Sequence, residues 1–443
     1  MRRDLLRRTL AHAIERIPYY RRLASEGRVA EHASLSEFPI VSKELFSRHF
    51  EEFLDLERFP DFVLTSGGTS ESGPSITIRN VEEYLASFHY FSGVDPAEPP
   101  PLDQVDGFTL DIFFNSNGYG WRKPHGWPIL SVTLEQDFHA DMILRFVADG
   151  LQVAGRRLHP NRIQAQNGPL RTLTGYLEAT GFNAADSAIV DILVYGGHVT
   201  AAWQARLERV WGAQLRTIYG LSEFGGCNAV ECAGCGAYHY WSAWPEFLGL
   251  RDDDAVERGD ARLILTSLVP FVRAQPRIRY DTGDVVTVVG RCEATGELGF
   301  RFRGRMASSL IGGSGARPAT LVSEIDVLEA IDDLPEVGRR PHSSETQIWS
   351  NPSIPRPPYP LGFPRFKISA GPEGRAEGGL IAIETAFDPE AAPRKAQALE
   401  ARVWETLLGR TKPELREAML GKRRPSIRLL GPGRLGVRIK AAV

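Results

Sequence analysis

Four short stretches of this 443-residue chain combine residue types that handle phosphate or nucleotide, and a fifth gathers thiols. Leu64-Thr65-Ser66-Gly67-Gly68-Thr69-Ser70-Glu71-Ser72-Gly73 packs hydroxyls and glycines together with no bulky side chain. Glycine permits close backbone approach and unusual dihedrals, so such a loop can wrap a polyphosphate in N–H and hydroxyl donors. Taken alone it reads more readily as a flexible linker. In Thr217-Ile218-Tyr219-Gly220-Leu221-Ser222-Glu223 an aromatic stands beside a glycine with a carboxylate four residues on. One such turn can offer a flat apolar face to a base and a hard oxygen to magnesium; the plain alternative is a strand-end tyrosine and a solvated glutamate. In Ile278-Arg279-Tyr280-Asp281-Thr282-Gly283-Asp284 the last aspartate can accept from both hydroxyls of a ribose, although Asp-Thr-Gly-Asp is also an ordinary turn. Phe302-Arg303-Gly304-Arg305 supplies Arg305 as a charge-assisted donor to ribose or phosphate.

The chain has four cysteines, three of them within nine positions, which is the wrong distribution for a disulfide framework. Cys232, Cys235 and His239 give Cys-x-x-Cys with a histidine four residues on, three of the four ligands that tetrahedral zinc needs. The fourth is Cys227 or Cys292. Three cysteines and a histidine leave no open coordination position, so the expected metal is structural and pins the loop behind Glu223; the alternative is reduced thiols without a metal.

These residues need elements to hold them. Residues 188–195 form a short apolar run closed by Gly196-Gly197, which predicts a buried strand ending at a loop. Thr200 then caps a helix that turns Trp203, Leu207, Val210 and Trp211 inward. Strand, glycine loop and helix make a parallel α/β unit, whose ligands collect beyond the carboxyl ends of the strands. Leu6, Leu10, Ile14 and Ile17 share a helical stripe that Pro18 helps to end, and Asn80 precedes a capped helix with Val81, Leu85 and Phe88 as its buried face. Residues 262–268 and 278–289 are rich in β-formers, and the sheet region runs to about Arg305. Beyond Met306 the texture changes to a glycine-rich stretch, a helix over 322–331, a proline-rich loop over 352–364, paired strands at 366–370 and 379–387, a helix over 396–408 and a strand at 427–430. This run is large enough for a small domain of its own, so the expected division is 1–305 and 306–443.

A hydrophobic fraction of 42% over this length supports more than one core. A formal net charge of -3 sets up no global field for nucleic acid or an acidic membrane. No stretch reaches about 18 apolar residues, and Met1 to Tyr20 carries no cleavage site. The expectation is a soluble, cytoplasmic protein, monomer or homodimer, acting on a small molecule.

The order of the four nucleotide motifs is that of the adenylate-forming superfamily. Ile17-Pro18-Tyr19-Tyr20, Phe38-Pro39-Ile40-Val41-Ser42-Lys43, the Thr-Ser-Gly-Gly-Thr-Ser loop and Tyr219 to Glu223 followed by Glu231-Cys232 and Tyr238-His239 resemble phenylacetate–coenzyme A ligase and its relatives. The resemblance implies an α/β fold, with a large N-terminal adenylate-forming domain of mixed sheets and a small α+β C-terminal domain. It implies activation of a carboxylic acid by ATP and Mg2+ to an acyl-adenylate, with transfer to coenzyme A. Thr65, Ser66, Gly67, Gly68, Thr69 and Ser70 become the phosphate loop, and Glu223 becomes the magnesium ligand. Gly196, Gly197 and His198 join Gly220 and Ser222 around the nucleotide, Tyr219 stacks on the base, and Asp284 and Arg305 hold the ribose. The resemblance also favours Cys292 as the fourth zinc ligand.

The sequence departs from this pattern at three places. Where relatives often have an acidic residue after the glycine pair, His198 stands here; it either alters recognition or is a hydrogen-bonded loop histidine. The C-terminal lysine that donates during adenylation is Val437, with Arg438 or Lys440 available after a shift in register. The paired aspartates after Gly304-Arg305 are Ala307 and Ser308. Phe114, Trp121, His125, Phe224 and Cys227 are expected to line the acid pocket, which suits an aryl or arylalkyl acid. The altered lysine and hinge leave an amine or a carrier protein as acceptors beside coenzyme A. They also leave open a degenerate relative that binds nucleotide without turnover.

Overall fold

The computed structural model describes residues 2–30, 32–55, 57, 60–65, 76–92, 105–113, 120–122, 129–153, 155–224, 228–312, 318–371, 379–411, 413, 416–420 and 424–436. It is a mixed α/β protein divided into two compact units, Met1–Pro96 with Ile218–Phe302, and Ala97–Thr217 with Arg303–Val443.

In the first unit the sheet is antiparallel and runs in the order Ala243–Leu248, Gly259–Ser267, Tyr280–Arg291, Leu298–Arg305, Tyr238–Tyr240, Ala229–Glu231 and the end of Gln214–Tyr219. Its core is aromatic, with Tyr20, Phe38, Phe53, Phe224 and Phe300 all at or below 1% exposure. The apolar stripe of the N-terminus forms the helix Arg2–Arg16, and Pro18 both stops it and opens a second helix, Pro18–Ser25. Proline suits that position because a first-turn N–H has no partner within the helix. Asn80 precedes the helix Val81–Ser92, and the Glu83 carboxylate accepts from the Asn80 amide at 3.0 Å as the capping pattern requires. Val81 does not belong to the buried face: it is 41% exposed. Glu83 is the buried residue of that turn, because its carboxylate also takes the guanidinium of Arg79 at 3.1 Å and the amides of Arg273 and Ala274.

The second unit carries a largely parallel sheet in the order Gln214–Tyr219, Asp191–Tyr195, Arg156–Gln166, Gly107–Phe113, Ile129–Thr133, with Gly120–Arg122 antiparallel at the edge. Helices Asp137–Asp149, Asn167–Thr180 and Ala201–Trp211 supply apolar faces to its core, Trp203, Leu207 and Trp211 among them. A further core in this unit draws only on residues from Leu310 to Leu429, between the sheet Phe366–Ser369, Leu380–Glu384, Ser426–Leu430 and the helices Glu324–Ile331 and Pro393–Arg410.

The glycine turn after Asp191–Tyr195 is as expected: Gly196 and Gly197 have φ of 74° and 135°, a region that a side chain disfavours. The cap that follows is not. Thr200 sits at the N-cap without a side-chain cap bond, because its hydroxyl donates to Asp332 Oδ2 at 2.7 Å. The Ala201 amide is satisfied instead by the Glu329 carboxylate, at 3.2 and 3.3 Å to its two oxygens. A carboxylate there also complements the positive end of the helix dipole.

Candidate nucleotide and metal sites

Sheet register joins two of the motifs singled out in the sequence. Gln214–Tyr219 ends with Tyr219 opposite Ala229, and Tyr280–Arg291 opens with a bulge against Gly259–Ser267. Within that bulge Gly283 has φ of 70°, its amide donates to Asp281 Oδ1 at 2.9 Å, and the Asp284 amide donates to Thr282 Oγ1 at 3.1 Å. Bulges re-aim side chains, and here Asp284 turns toward Tyr219, whose hydroxyl donates to Asp284 Oδ2. Both side chains are buried. The Tyr219 ring lies 5.3 Å from Phe302 and 5.6 Å from Phe300, centroid to centroid, so an aromatic wall stands behind the carboxylate.

Glu223 lies in a single turn, Ser222–Phe224, directly after that strand. The backbone of this turn is fastened from two sides: Thr77 Oγ1 donates to Ser222 O at 3.1 Å, and the Arg277 guanidinium donates to Glu223 O. The Glu223 side chain keeps 14% of its surface exposed, and Lys43 Nζ stands 3.8 Å from its Oε1. Arg277 is wholly buried, with its guanidinium 4.1 Å from the Phe46 ring centroid, and burial lowers its pKa to about 10. Phe224 is also core, 1% exposed, with its ring edge against Tyr280. Lys43 and Arg277 were not singled out in the sequence as site residues. Lys43 closes the motif Phe38 to Lys43, so a signal for it was present; for Arg277 there was none.

In the second unit the glycine loop carries His198, which faces Glu329 with Nε2 2.7 Å from Oε1. Burial tends to raise the Glu329 pKa, but His198, Arg410 and the Ala201 amide outweigh it and the net shift is downward. His198 is therefore a partnered loop histidine, with its backbone oxygen also accepting from Asn167 at 2.8 Å. Arg305 ends the strand Leu298–Arg305, where its backbone oxygen accepts from the Ser309 hydroxyl at 2.8 Å.

The cysteines converge. One ligand atom each from Cys232, Cys235, His239 and Cys292 lie within 4.8 Å of one another. Cys232 Sγ is 4.0 Å from Cys292 Sγ, and Cys235 Sγ is 3.2 Å from His239 Nε2. Tetrahedral bonding at about 2.3 Å per thiolate puts ligand sulfurs roughly 3.8 Å apart, so the donors fit a zinc-sized ion. The two halves are built alike: Gly236 N donates to Cys232 O and Gly296 N to Cys292 O, both at 2.8 Å. Hydrogen bonding to Thr295 lowers the Cys292 thiol to about 7, toward the thiolate that a metal binds, whereas burial raises the Cys235 thiol to about 11. The ligand count left Cys227 and Cys292 as alternatives; among the described residues, which do not include Cys227, Cys292 joins the other three.

Thr65 ends the strand Phe62–Thr65, and Trp121 lies in the strand Gly120–Arg122. Ser66, Gly67, Gly68, Thr69, Ser70, Phe114, His125, Cys227, Val437, Arg438 and Lys440 lie outside the described residues. No helix among the described residues is long and apolar enough to cross a membrane.

No protein-family model matches the chain, and no curated protein matches it. Solved structures do. A 2-hydroxyisobutyryl-CoA ligase in an open conformation, in complex with 2-HIB-AMP and CoA, is 14% identical over 98% of this chain and 88% of its own, with a TM-score of 0.63. The postadenylation state with 2-HIB-AMP is 13% identical over 99% and 87%, also with a TM-score of 0.63. Acetoacetyl-CoA synthetase from Streptomyces lividans is 14% identical over 86% of this chain and 52% of its own, with a TM-score of 0.50. Likeness at such identity speaks for the fold alone, and the fold is the one these CoA-ligase structures share.

Proposed function

We propose that the protein uses Mg-ATP to convert a carboxylic acid, aryl or arylalkyl in character, into an acyl-adenylate and then passes the acyl group to a nucleophile. The observation that carries this reading is the Tyr219–Asp284 hydrogen bond with Glu223 one turn beyond. It brings together side chains from two motifs proposed for base, ribose and metal, on a fold whose similar structures hold an acyl-AMP and CoA. Asp284 accepts from the ribose, Tyr219 and its aromatic neighbours back the base, and Glu223 coordinates the magnesium that arrives with the substrate. The acid's carboxylate oxygen attacks the α-phosphorus, the bond from that phosphorus to the bridging oxygen breaks, and pyrophosphate leaves with the electron pair. A thiolate then attacks the acyl carbon, the C–O bond to AMP breaks, and AMP departs. Coenzyme A is the first acceptor to test, with an amine or a carrier protein as the others. In this reading residues 1–305 act as the large domain and 306–443 as the small one; the core drawn from Leu310 onward favours that division, whereas Ile348, Trp349 and Leu361 pack into the core of residues 105–215.

Pyrophosphate release with a panel of aryl and arylalkyl acids, with and without each acceptor, tests the reading. Release that depends on one acid, with thioester formed when coenzyme A is added, is the expected result. Nucleotide binding without release from any acid would instead mark a relative without turnover.

Cys232, Cys235, His239 and Cys292 hold a structural zinc in this reading, tying the turn 232–236 to the turn 292–296. Elemental analysis of untagged protein should find close to one zinc per chain, and Cys235→Ser should lose most of it with a lower melting temperature. A metal-free wild type rules the zinc out.

A further inference from the structure

The Lys43–Glu223 pair is assigned no role by the motifs, yet it stands where the proposed magnesium ligand presents its carboxylate. Lys43 is one of seven lysines in the chain. Its place is set by backbone contacts rather than by side-chain reach. Val41 N donates to Arg279 O and Asp281 N donates to Val41 O, both at 2.9 Å, which pins the segment before Lys43 to the strand that carries Asp284. Ser42 then caps the short helix Lys43–Arg48, accepting from Leu45 N at 3.2 Å, so Lys43 is its first residue. The same strand thus positions the carboxylate proposed for ribose and the amine beside Glu223.

The contact itself is a loose one. At 3.8 Å the amine is beyond hydrogen-bond length from Oε1, and both side chains keep some exposure, 20% for Lys43 and 14% for Glu223. An ion pair without a direct hydrogen bond exchanges partners more readily than a closed one. Behind it the buried Arg277 guanidinium adds a second positive charge on the backbone of the same turn. Magnesium bonds a carboxylate oxygen at about 2.1 Å, so a dication on Glu223 would stand next to the ammonium and repel it. The anion that arrives with that dication is the phosphate chain. A lysine ammonium is a mobile point charge on a flexible stem, suited to such a transfer.

We propose that Lys43 is a phosphate-binding residue: its amine rests on Glu223 in the free protein and moves to the nucleotide's phosphates when magnesium takes that carboxylate. The proposal rests on the adenylation reading above. It makes Lys43 a competitor of magnesium before binding and a partner of the phosphates afterwards.

Those two roles have opposite signatures. Pyrophosphate release is measured for wild type, Lys43→Ala and Lys43→Arg at saturating acid, while Mg-ATP and free magnesium are varied and melting curves are recorded. Lys43→Ala should lower kcat by about a hundredfold or more, while the magnesium needed for half-maximal rate falls because the competing amine is gone. Lys43→Arg should recover at least a tenth of the wild-type rate. A Lys43→Ala variant within threefold of wild-type kcat overturns the proposal. So does a raised magnesium requirement that Lys43→Arg does not reverse, since that pattern belongs to a merely structural contact. A folded wild type that releases no pyrophosphate with any acid removes the adenylation reading and Lys43's role with it, whereas wild-type turnover with an unaffected Lys43→Ala removes only the latter.

Discussion

Glu223→Gln is expected to abolish most pyrophosphate release while leaving the melting temperature within a degree or two of wild type. Glutamine keeps the size and one oxygen of the side chain but loses the charge that binds a hard dication. A magnesium ion contributes several kcal/mol of charge stabilisation to phosphoryl chemistry, so a weakened site should cost on the order of a thousandfold in rate. Stability should move little, because the turn Ser222–Phe224 is held through its backbone by Thr77 and Arg277, and the Lys43 amine at 3.8 Å is beyond hydrogen-bond length from the carboxylate. Steady-state kinetics beside a melting curve distinguishes the two effects. A Glu223→Gln enzyme within tenfold of wild type would remove Glu223 from the magnesium site.

The second large effect concerns stability and lies in the unit that contains residues 303–443. Asp332 is buried at 1% exposure and is ringed by donors. Arg171 reaches its two oxygens at 3.1 and 2.8 Å, Arg339 Nη1 reaches Oδ1 at 3.1 Å, and the Thr200 hydroxyl reaches Oδ2 at 2.7 Å. Arg171 also lies 4.6 Å from the Trp203 ring centroid and 4.9 Å from that of Phe363. Removing the carboxylate would strand two guanidiniums away from water. Asp332→Ala should therefore cost about 3–5 kcal/mol, and Arg171→Met less, since Asp332 then keeps Arg339 and Thr200. Urea unfolding measures both. A cost below 1 kcal/mol for Asp332→Ala would show that the network stabilises nothing.

The same carboxyl predicts a pH dependence. Burial works to raise its pKa, but Arg171, Arg339 and Thr200 together outweigh burial and hold it below the ordinary value. A group with a depressed folded pKa stabilises fully above its unfolded pKa, about 3.9, and loses that stabilisation as pH falls through the folded value. The gap in unfolding free energy between wild type and Asp332→Ala should thus be constant near neutrality and shrink only in acid.

Local pattern made a good part of this molecule legible. The strand before Gly196, the helix after Thr200, the helix Pro393–Arg410 and the strand Ser426–Leu430 all follow from periodicity and punctuation, which act over a few residues. The Gly196-Gly197 turn and the clustering of Cys232, Cys235 and His239 were legible for a related reason, since tight turns demand glycine and a soft-metal site demands thiols and imidazole. Two local readings failed where a distant group competed. Thr200's hydroxyl went to Asp332 rather than to its own helix, and Val81 gave the buried place in its turn to Glu83.

What the chain determined by itself was the inventory: a run of hydroxyls and glycines, the Tyr219 to Glu223 motif, the aspartate of Asp-Thr-Gly-Asp, and the thiols with His239. Only the tertiary structure decided which of them meet. Tyr219 and Asp284 are 65 residues apart in sequence, Cys232 and Cys292 60, and Lys43 reaches Glu223 through a backbone bridge from Val41 to Tyr280. Such meetings are set by sheet register and by a bulge that turns one carboxylate. Register is the outcome of burying every apolar face at once, which no window of neighbouring residues can specify.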